Sequence, residues 1–184
     1  MRSPQRRGRA EKHDADKLAF TVDALLSTEE CAWLVDVSNQ RGYEPALINV
    51  GGGRQVLMGD VRRSGRCMID DVTFAEQLWA RLEPLLPREY VEPRGTSRFG
   101  RRQRWRAVGL NERLRFLRYE PGDYFAPHFD GCYVRDGSAD PRRGETSFLT
   151  VMVYLNEPER GGETRFPQRR DESRGTAVRP AAGL

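Results

Sequence analysis

The sequence predicts an α+β fold, with helices first and short strands afterwards, and three observations carry that reading. Between Ser27 and Gly42, and again between Asp71 and Leu85, apolar residues recur at spacings of three and four, the period of a helix with one buried face. From Leu114 the pattern becomes that of short strands broken by Pro and Gly. Helices first and strands afterwards, with no internal repeat, argue for an α+β fold whose second part is a sandwich or barrel.

Taken in order, residues 1–17 show no apolar period and read as a disordered basic tail. Ala19 to Leu26 reads as a short strand and turn. Ser27-Thr28-Glu29-Glu30 is a capping box, Ser27 as N-cap and Glu30 reaching back to it. The helix it starts puts Cys31, Leu34, Val35 and Ser38 on one face, and Gly42 stops it. Tyr43 to Val50 reads as a strand that Gly51-Gly52-Gly53 breaks. Asp70 or Asp71 caps a second helix with Phe74, Leu78, Leu82 and Leu85 on its apolar face, ended by Pro84 and Pro87. Residues 88–109 read as a long surface loop, its far end pinned by Trp105. Leu114 to Tyr119 and Tyr124 to Asp130 are two strands around the turn Pro121-Gly122-Asp123, and a polar loop follows over 131–146. Ser147 to Leu155 is an apolar run that predicts a strand buried on both faces. Gly161 to Phe166 reads as a shorter strand, and Val178 as the start of a new element. The resulting division is a tail over 1–17, a supporting helical region over 18–110, and a β domain over 111–184.

The bulk composition limits the function. The chain has 184 residues, enough for one domain with its own core. No apolar run approaches the ~20 residues of a membrane span. The N-terminal arginines precede no apolar stretch, so they make no secretory signal, and Glu11, Asp14 and Asp16 speak against a transit peptide. Cytosol or nucleus is the expected location. Cys31, Cys67 and Cys132 are odd in number and widely spaced, which fits reduced thiols in or near the core rather than zinc ligands or a disulfide framework. The formal net charge of +4 conceals a basic tail and an arginine-rich segment over 88–106, and what remains is net acidic. A nucleic-acid partner would need its basic groups on the folded body, so none is expected.

The chemistry rests on His128-Phe129-Asp130. Two residues apart on a predicted strand, the imidazole and the carboxylate project from one face. They can supply two neighbouring ligands of a 2-His-1-carboxylate triad, which leaves open positions on an iron ion. By itself a His-x-Asp pair is a weak signal, since a strand-end histidine bonded to a nearby aspartate has the same sequence.

The surroundings strengthen it. The stretch Asn111 to Gly131 resembles the metal-binding strand pair of the prolyl 4-hydroxylase-like 2-oxoglutarate/Fe(II)-dependent dioxygenases. Ser147 to Asn156 and Gly161 to Phe166 resemble that family's next two strands, and Asp60 to Arg66 with the second helix resembles its supporting N-terminal part. The resemblance covers about residues 18–184. It implies a double-stranded β-helix, or jelly-roll, carrying the helices. It also implies Fe(II) held by His128 and Asp130, a 2-oxoglutarate cosubstrate, O2, and ascorbate as the reductant that restores the metal. In such enzymes 2-oxoglutarate is decarboxylated to succinate and a hydroxyl is placed on an unactivated C–H bond of a peptide, protein or small-molecule substrate. The protein orients the reactants and the metal does the hard step, so no catalytic residue is expected beyond the ligands. The resemblance turns Tyr154 and Tyr119 toward the cosubstrate pocket; the bland alternative for each is a core tyrosine with its hydroxyl bonded elsewhere. Arg62, Ser64 and Arg66 would border the substrate entrance or form an ordinary solvated loop.

One part of the pattern is absent. The family uses a second histidine after the paired-glycine strand and a basic residue beyond it, whereas the only histidines here are His13, in the tail, and His128. The expectation is a chain truncated before the distal histidine, with C-terminal strands missing and no turnover on its own. The alternative is a non-catalytic β-helix binding module with a vestigial metal site. Neither the substrate nor the oligomeric state can be read from these residues.

Overall fold

The computed structural model describes residues 5–7, 19–51, 54–91, 104–168 and 171–184. Of the expected tail, only β1 (Gln5–Arg7) falls within this range, and it is a strand paired antiparallel with β2 (Thr21–Asp23). His13 and the rest of the tail lie outside the described residues.

Helix α1 (Thr28–Arg41) begins as its residues dictate. The Glu30 N–H donates to Ser27 Oγ at 3.2 Å and the Ser27 N–H donates to Glu30 Oε2 at 2.8 Å, so two otherwise orphaned amides are satisfied reciprocally. Gly42 ends it at φ 88°, where a β-carbon would be strained. In α2 (Val72–Leu82) Asp71 is the cap, its carboxylate accepting from the Phe74 N–H at 2.8 Å, and a single 3-10 turn, Glu83–Leu85, carries Pro84 past the helix end.

The two helices meet over the core. Cys31 and Leu34 of α1, Leu78 and Leu82 of α2, Val22 of β2, and Leu25 and Leu26 from the turn after it form one buried cluster. Each such leucine withdrawn from water stabilises the fold by roughly 1.5–3 kcal/mol. Arg81 fastens the helices at the rim, its guanidinium on both oxygens of Glu30 and on the Leu25 carbonyl. Cys31 and Cys67 are buried as expected, but Cys132 is exposed, because the loop that carries it stands clear of the cluster.

The expected strand over Tyr43 to Val50 is two short ones, β3 (Glu44–Pro45) and β4 (Ile48–Gly51), since Pro45 has no N–H with which to continue a ladder. β4 pairs with β5 (Arg54–Val56). β6 (Arg62–Arg63) and β7 (Gly65–Asp70) follow, separated by Ser64. The expected loop over 88–109 is instead anchored by a hairpin, β8 (Glu89–Val91) with β9 (Arg104–Arg106), whose Trp105 ring lies 4.5 Å from that of Phe148; 92–103 lie outside the described residues.

The longest ladder pairs β10 (Arg113–Arg118) with β7, and β3 completes this three-stranded sheet. β11 is shorter than expected. Its ladder with β6 covers only Tyr124–Phe125, and after the Ala126 N–H donates to Val61 O, Pro127 ends the series of donors. The apolar run Ser147 to Leu155 differs most from expectation. It carries no ladder among the described residues, and Leu149, Val151 and Met152 are 40%, 39% and 48% exposed. Hydrophobic sequence marks a surface that needs covering, while a strand also needs neighbours for its amides. Here only the ends are tied: Ser147 N–H to Tyr133 O, and Tyr154 to Gly183 and Leu184.

β12 (Thr164–Gln168) and β13 (Asp171–Val178) close as a hairpin, so Val178 ends a strand opposite Thr164 and does not start one. The chain then turns back to the core. The Leu25 N–H donates to Gly183 O, the Gly183 N–H to Tyr154 O, and the Tyr154 N–H to Leu184 O, each at 2.8 Å. Among the described residues no helix is long and apolar enough to cross a membrane.

Candidate metal centre

His128 and Asp130 lie beyond the end of β11, not on it, yet the structure brings their side chains together. His128 Nε2 stands 3.3 Å from Asp130 Oδ1. The other imidazole nitrogen, Nδ1, is 2.8 Å from the Ala126 carbonyl oxygen. A carbonyl can only accept, so Nδ1 carries a hydrogen, and Nε2, turned to Asp130, is the nitrogen whose lone pair a cation can take. Two lone pairs face each other across that gap. The arrangement is satisfied when a positive charge, a proton or a metal cation, lies between them.

The donor set suits a metal. One nitrogen and one carboxylate oxygen, each ~2.1 Å from a common ion and at right angles, would be ~3.0 Å apart. The observed separation is within a few tenths of an ångström of that. These residues fill two positions: among the described residues no group of three or more His, Cys, Asp or Glu converges to hold an ion.

Two side chains that sequence reasoning missed support the pair. Thr150 Oγ1 donates to Asp130 Oδ2 at 2.5 Å, which leaves Oδ1 turned toward His128. Phe125 stacks on the imidazole, ring centroids 3.6 Å apart and planes 19° from parallel. Nothing local announces either contact. The only signal is the alternation that puts Thr150, Met152 and Tyr154 on one face of their segment.

Along that face, Tyr154 Oη donates to Thr164 Oγ1 at 2.6 Å, and the Thr164 hydroxyl lies 3.8 Å from Met152 Sδ. The segment thus touches Asp130 through Thr150 and Thr164 through both Met152 and Tyr154. Thr164, also unforeseen, supplies the hydroxyl that fixes Tyr154. Tyr119 sits just past β10, 44% exposed, and is not brought into contact with His128, Asp130 or Tyr154. Arg62, Ser64 and Arg66 are not in a loop but on β6, between the strands and on β7, and of them Arg62 reaches the site's border: its guanidinium carbon is 4.5 Å from the Phe125 ring centroid and its Nε donates to Ser64 Oγ at 2.9 Å. Arg66 points away, to Gln55.

The loop after Asp130 is built around a buried arginine. Arg135 donates to both oxygens of Glu112 at 3.0 and 2.8 Å and to Asp140 Oδ2 at 3.2 Å, with Glu145 at 3.6 Å from its Nε. The Arg135 hydrogen bonds, aided by the Glu112 backbone amide and by the charges of Arg135 and Arg142, lower the Glu112 pKa from 4.5 to about 2.

The family described as the 2OG-Fe(II) oxygenase superfamily matches residues 114–184. Prolyl 4-hydroxylase 1 of Arabidopsis thaliana is 28% identical over 167 residues, which cover 86% of this chain and 53% of that protein. Probable prolyl 4-hydroxylase 7 of the same plant is 26% identical over 181 residues, 89% of this chain and 50% of the relative. Probable prolyl 4-hydroxylase 6 is 38% identical over 182 residues, 90% and 55% respectively. The chain thus spans about half the length of these relatives. No solved structure matches.

Proposed function

We propose that this chain, which belongs to the prolyl 4-hydroxylase-like 2OG-Fe(II) oxygenases, holds Fe(II) through His128 and Asp130 and serves as a 2-oxoglutarate-dependent hydroxylase. The observation that carries the reading is the opposed pair, His128 Nε2 against Asp130 Oδ1 at 3.3 Å with Nδ1 already committed to a carbonyl. When bound, the iron supplies oxygen activation coupled to decarboxylation of 2-oxoglutarate. The rest falls to the protein. Ala126 O fixes the imidazole tautomer, and Thr150 holds the carboxylate with one oxygen toward the ion. Tyr154, steadied by Thr164, and Tyr119, with its ring open to solvent, present phenols to the cosubstrate's far carboxylate. A double-stranded β-helix over 111–184 is the scaffold this reading calls for, with ascorbate as reductant. The substrate class is a peptide carrying proline, the group that the relatives' names specify.

The test is an anaerobic Fe(II) titration of the chain with and without 2-oxoglutarate, followed by O2 and a proline-containing peptide. The expected result is a weak visible charge-transfer band that needs both components; 2-oxoglutarate-dependent CO2 release would overturn the expectation that this chain does not turn over on its own. A band that persists unchanged in His128→Ala and Asp130→Ala, or that never forms, refutes the reading and leaves a binding module.

A further inference from the structure

The imidazole that faces Asp130 does not stand by itself; it is the last member of a column of three flat groups. Arg62 and Phe125 are direct cross-strand partners in the β6–β11 ladder, so their side chains rise from the same face. The Arg62 guanidinium lies over the Phe125 ring, with 4.5 Å between its central carbon and the centroid. Phe125 in turn stacks on His128 at 3.6 Å and 19°. Ser64 steers the arginine from the side, accepting from Nε at 2.9 Å.

The column has one costly feature. Arg62 Nη2 is buried and has no hydrogen-bond partner among the described residues. Guanidinium groups normally spend their donors on carboxylates or carbonyls, as Arg81 and Arg113 do here. At Arg62 the Phe125 ring beneath the guanidinium offsets part of that cost, since the face of an aromatic ring attracts a cation.

Resting on the metal reading above, we infer that Arg62 is a positioning residue for the His128 ligand, acting through Phe125. The carbonyl of Ala126 fixes which nitrogen is free and permits the ring to swing about the Nδ1···O direction. The stack removes that swing by fixing the plane of the ring. Support of this kind behind a metal ligand typically alters affinity by roughly 10–100-fold.

The chain has only two histidines, so histidine-labelled protein shows two sets of ring signals in NMR and assignment is direct. Without metal, the His128 ring protons should be displaced by the Phe125 ring current. That displacement should collapse in Arg62→Met and Phe125→Leu alike, and should be partly kept in Arg62→Lys, which retains the cation. Titration with Zn(II), a redox-silent probe, should show binding about tenfold weaker in each of the first two variants. The double variant should be no weaker than either. Metal-free shifts and Zn(II) affinity that stay at wild-type values in a folded Arg62→Met chain overturn the proposal. If that variant loses its far-UV circular dichroism, Arg62→Lys and Ser64→Ala carry the test, and unchanged ring shifts in both overturn it. A wild-type chain whose His128 signals ignore Zn(II) refutes the metal reading instead, while the metal-free shifts still decide the positioning role.

Discussion

Replacing Glu112 by Gln isolates what the buried arginine contributes to the loop beside the site. The substitution keeps shape and one acceptor but removes the charge from a carboxylate that Arg135 grips with two hydrogen bonds and Arg142 approaches at 3.3 and 3.4 Å. The Arg135 side chain is only 10% exposed and that of Glu112 21%, so solvent screens the pair weakly. Its pKa falls from 4.5 to about 2, and at ~1.4 kcal/mol per tenfold that is about 3 kcal/mol of folding stability at pH 7. A folded pKa below the unfolded one stabilises above the unfolded value and is lost as pH falls through the folded one. The wild-type advantage over Glu112→Gln should therefore be about 2–3 kcal/mol at pH 7, about 2 at pH 3.5 and under about 1 by pH 2.5. Urea unfolding followed by circular dichroism across this range measures it. A difference that is absent at pH 7, or that does not shrink below pH 4.5, refutes the reasoning.

Other consequences follow from single contacts. Thr150→Val removes the donor on Asp130 Oδ2 and should weaken Zn(II) or Fe(II) binding about tenfold or more with little change in melting temperature, as read by calorimetric titration. Gly183→Ala sets a β-carbon 2.3 Å from the Leu26 carbonyl oxygen at φ 84° and should cost about 2 kcal/mol or more in urea. Ser27→Ala opens the capping box and should cost about 1 kcal/mol by the same assay. A thiol reagent should modify exposed Cys132 first, while Cys31 and Cys67, whose pKa values burial raises, should react only as the chain unfolds; mass spectrometry of partially labelled protein orders the three.

The features legible in the sequence were those whose partners lie a few residues away. Ser27 with Glu30, Asp71 with the Phe74 amide, and Gly42 at a positive φ are settled by local geometry, and the structure has all three. That the His128 and Asp130 side chains meet was legible for the same reason, although the strand expected to carry them ends at Phe125, before Pro127. What escaped depends on tertiary approach. Thr150, Thr164 and Arg62 act on residues from other segments, and a hydroxyl or guanidinium carries no mark of its eventual partner. The run Ser147 to Leu155 was misread because apolarity tells how much surface needs cover and is silent about which amides lie beside it.

The hydrogen bonds that join Gly183 to both Leu25 and Tyr154 bear on the order in which the molecule forms. α1, its cap and the turn before it can assemble early, from neighbouring residues. Among the described residues Tyr154 gains its backbone partners from residues 183 and 184, so its placement waits on a closure between distant parts of the chain, the slow and entropically costly kind. During synthesis the helical half is complete while the site's inner face is still loose. The ribosome must release residue 183 before that face can set.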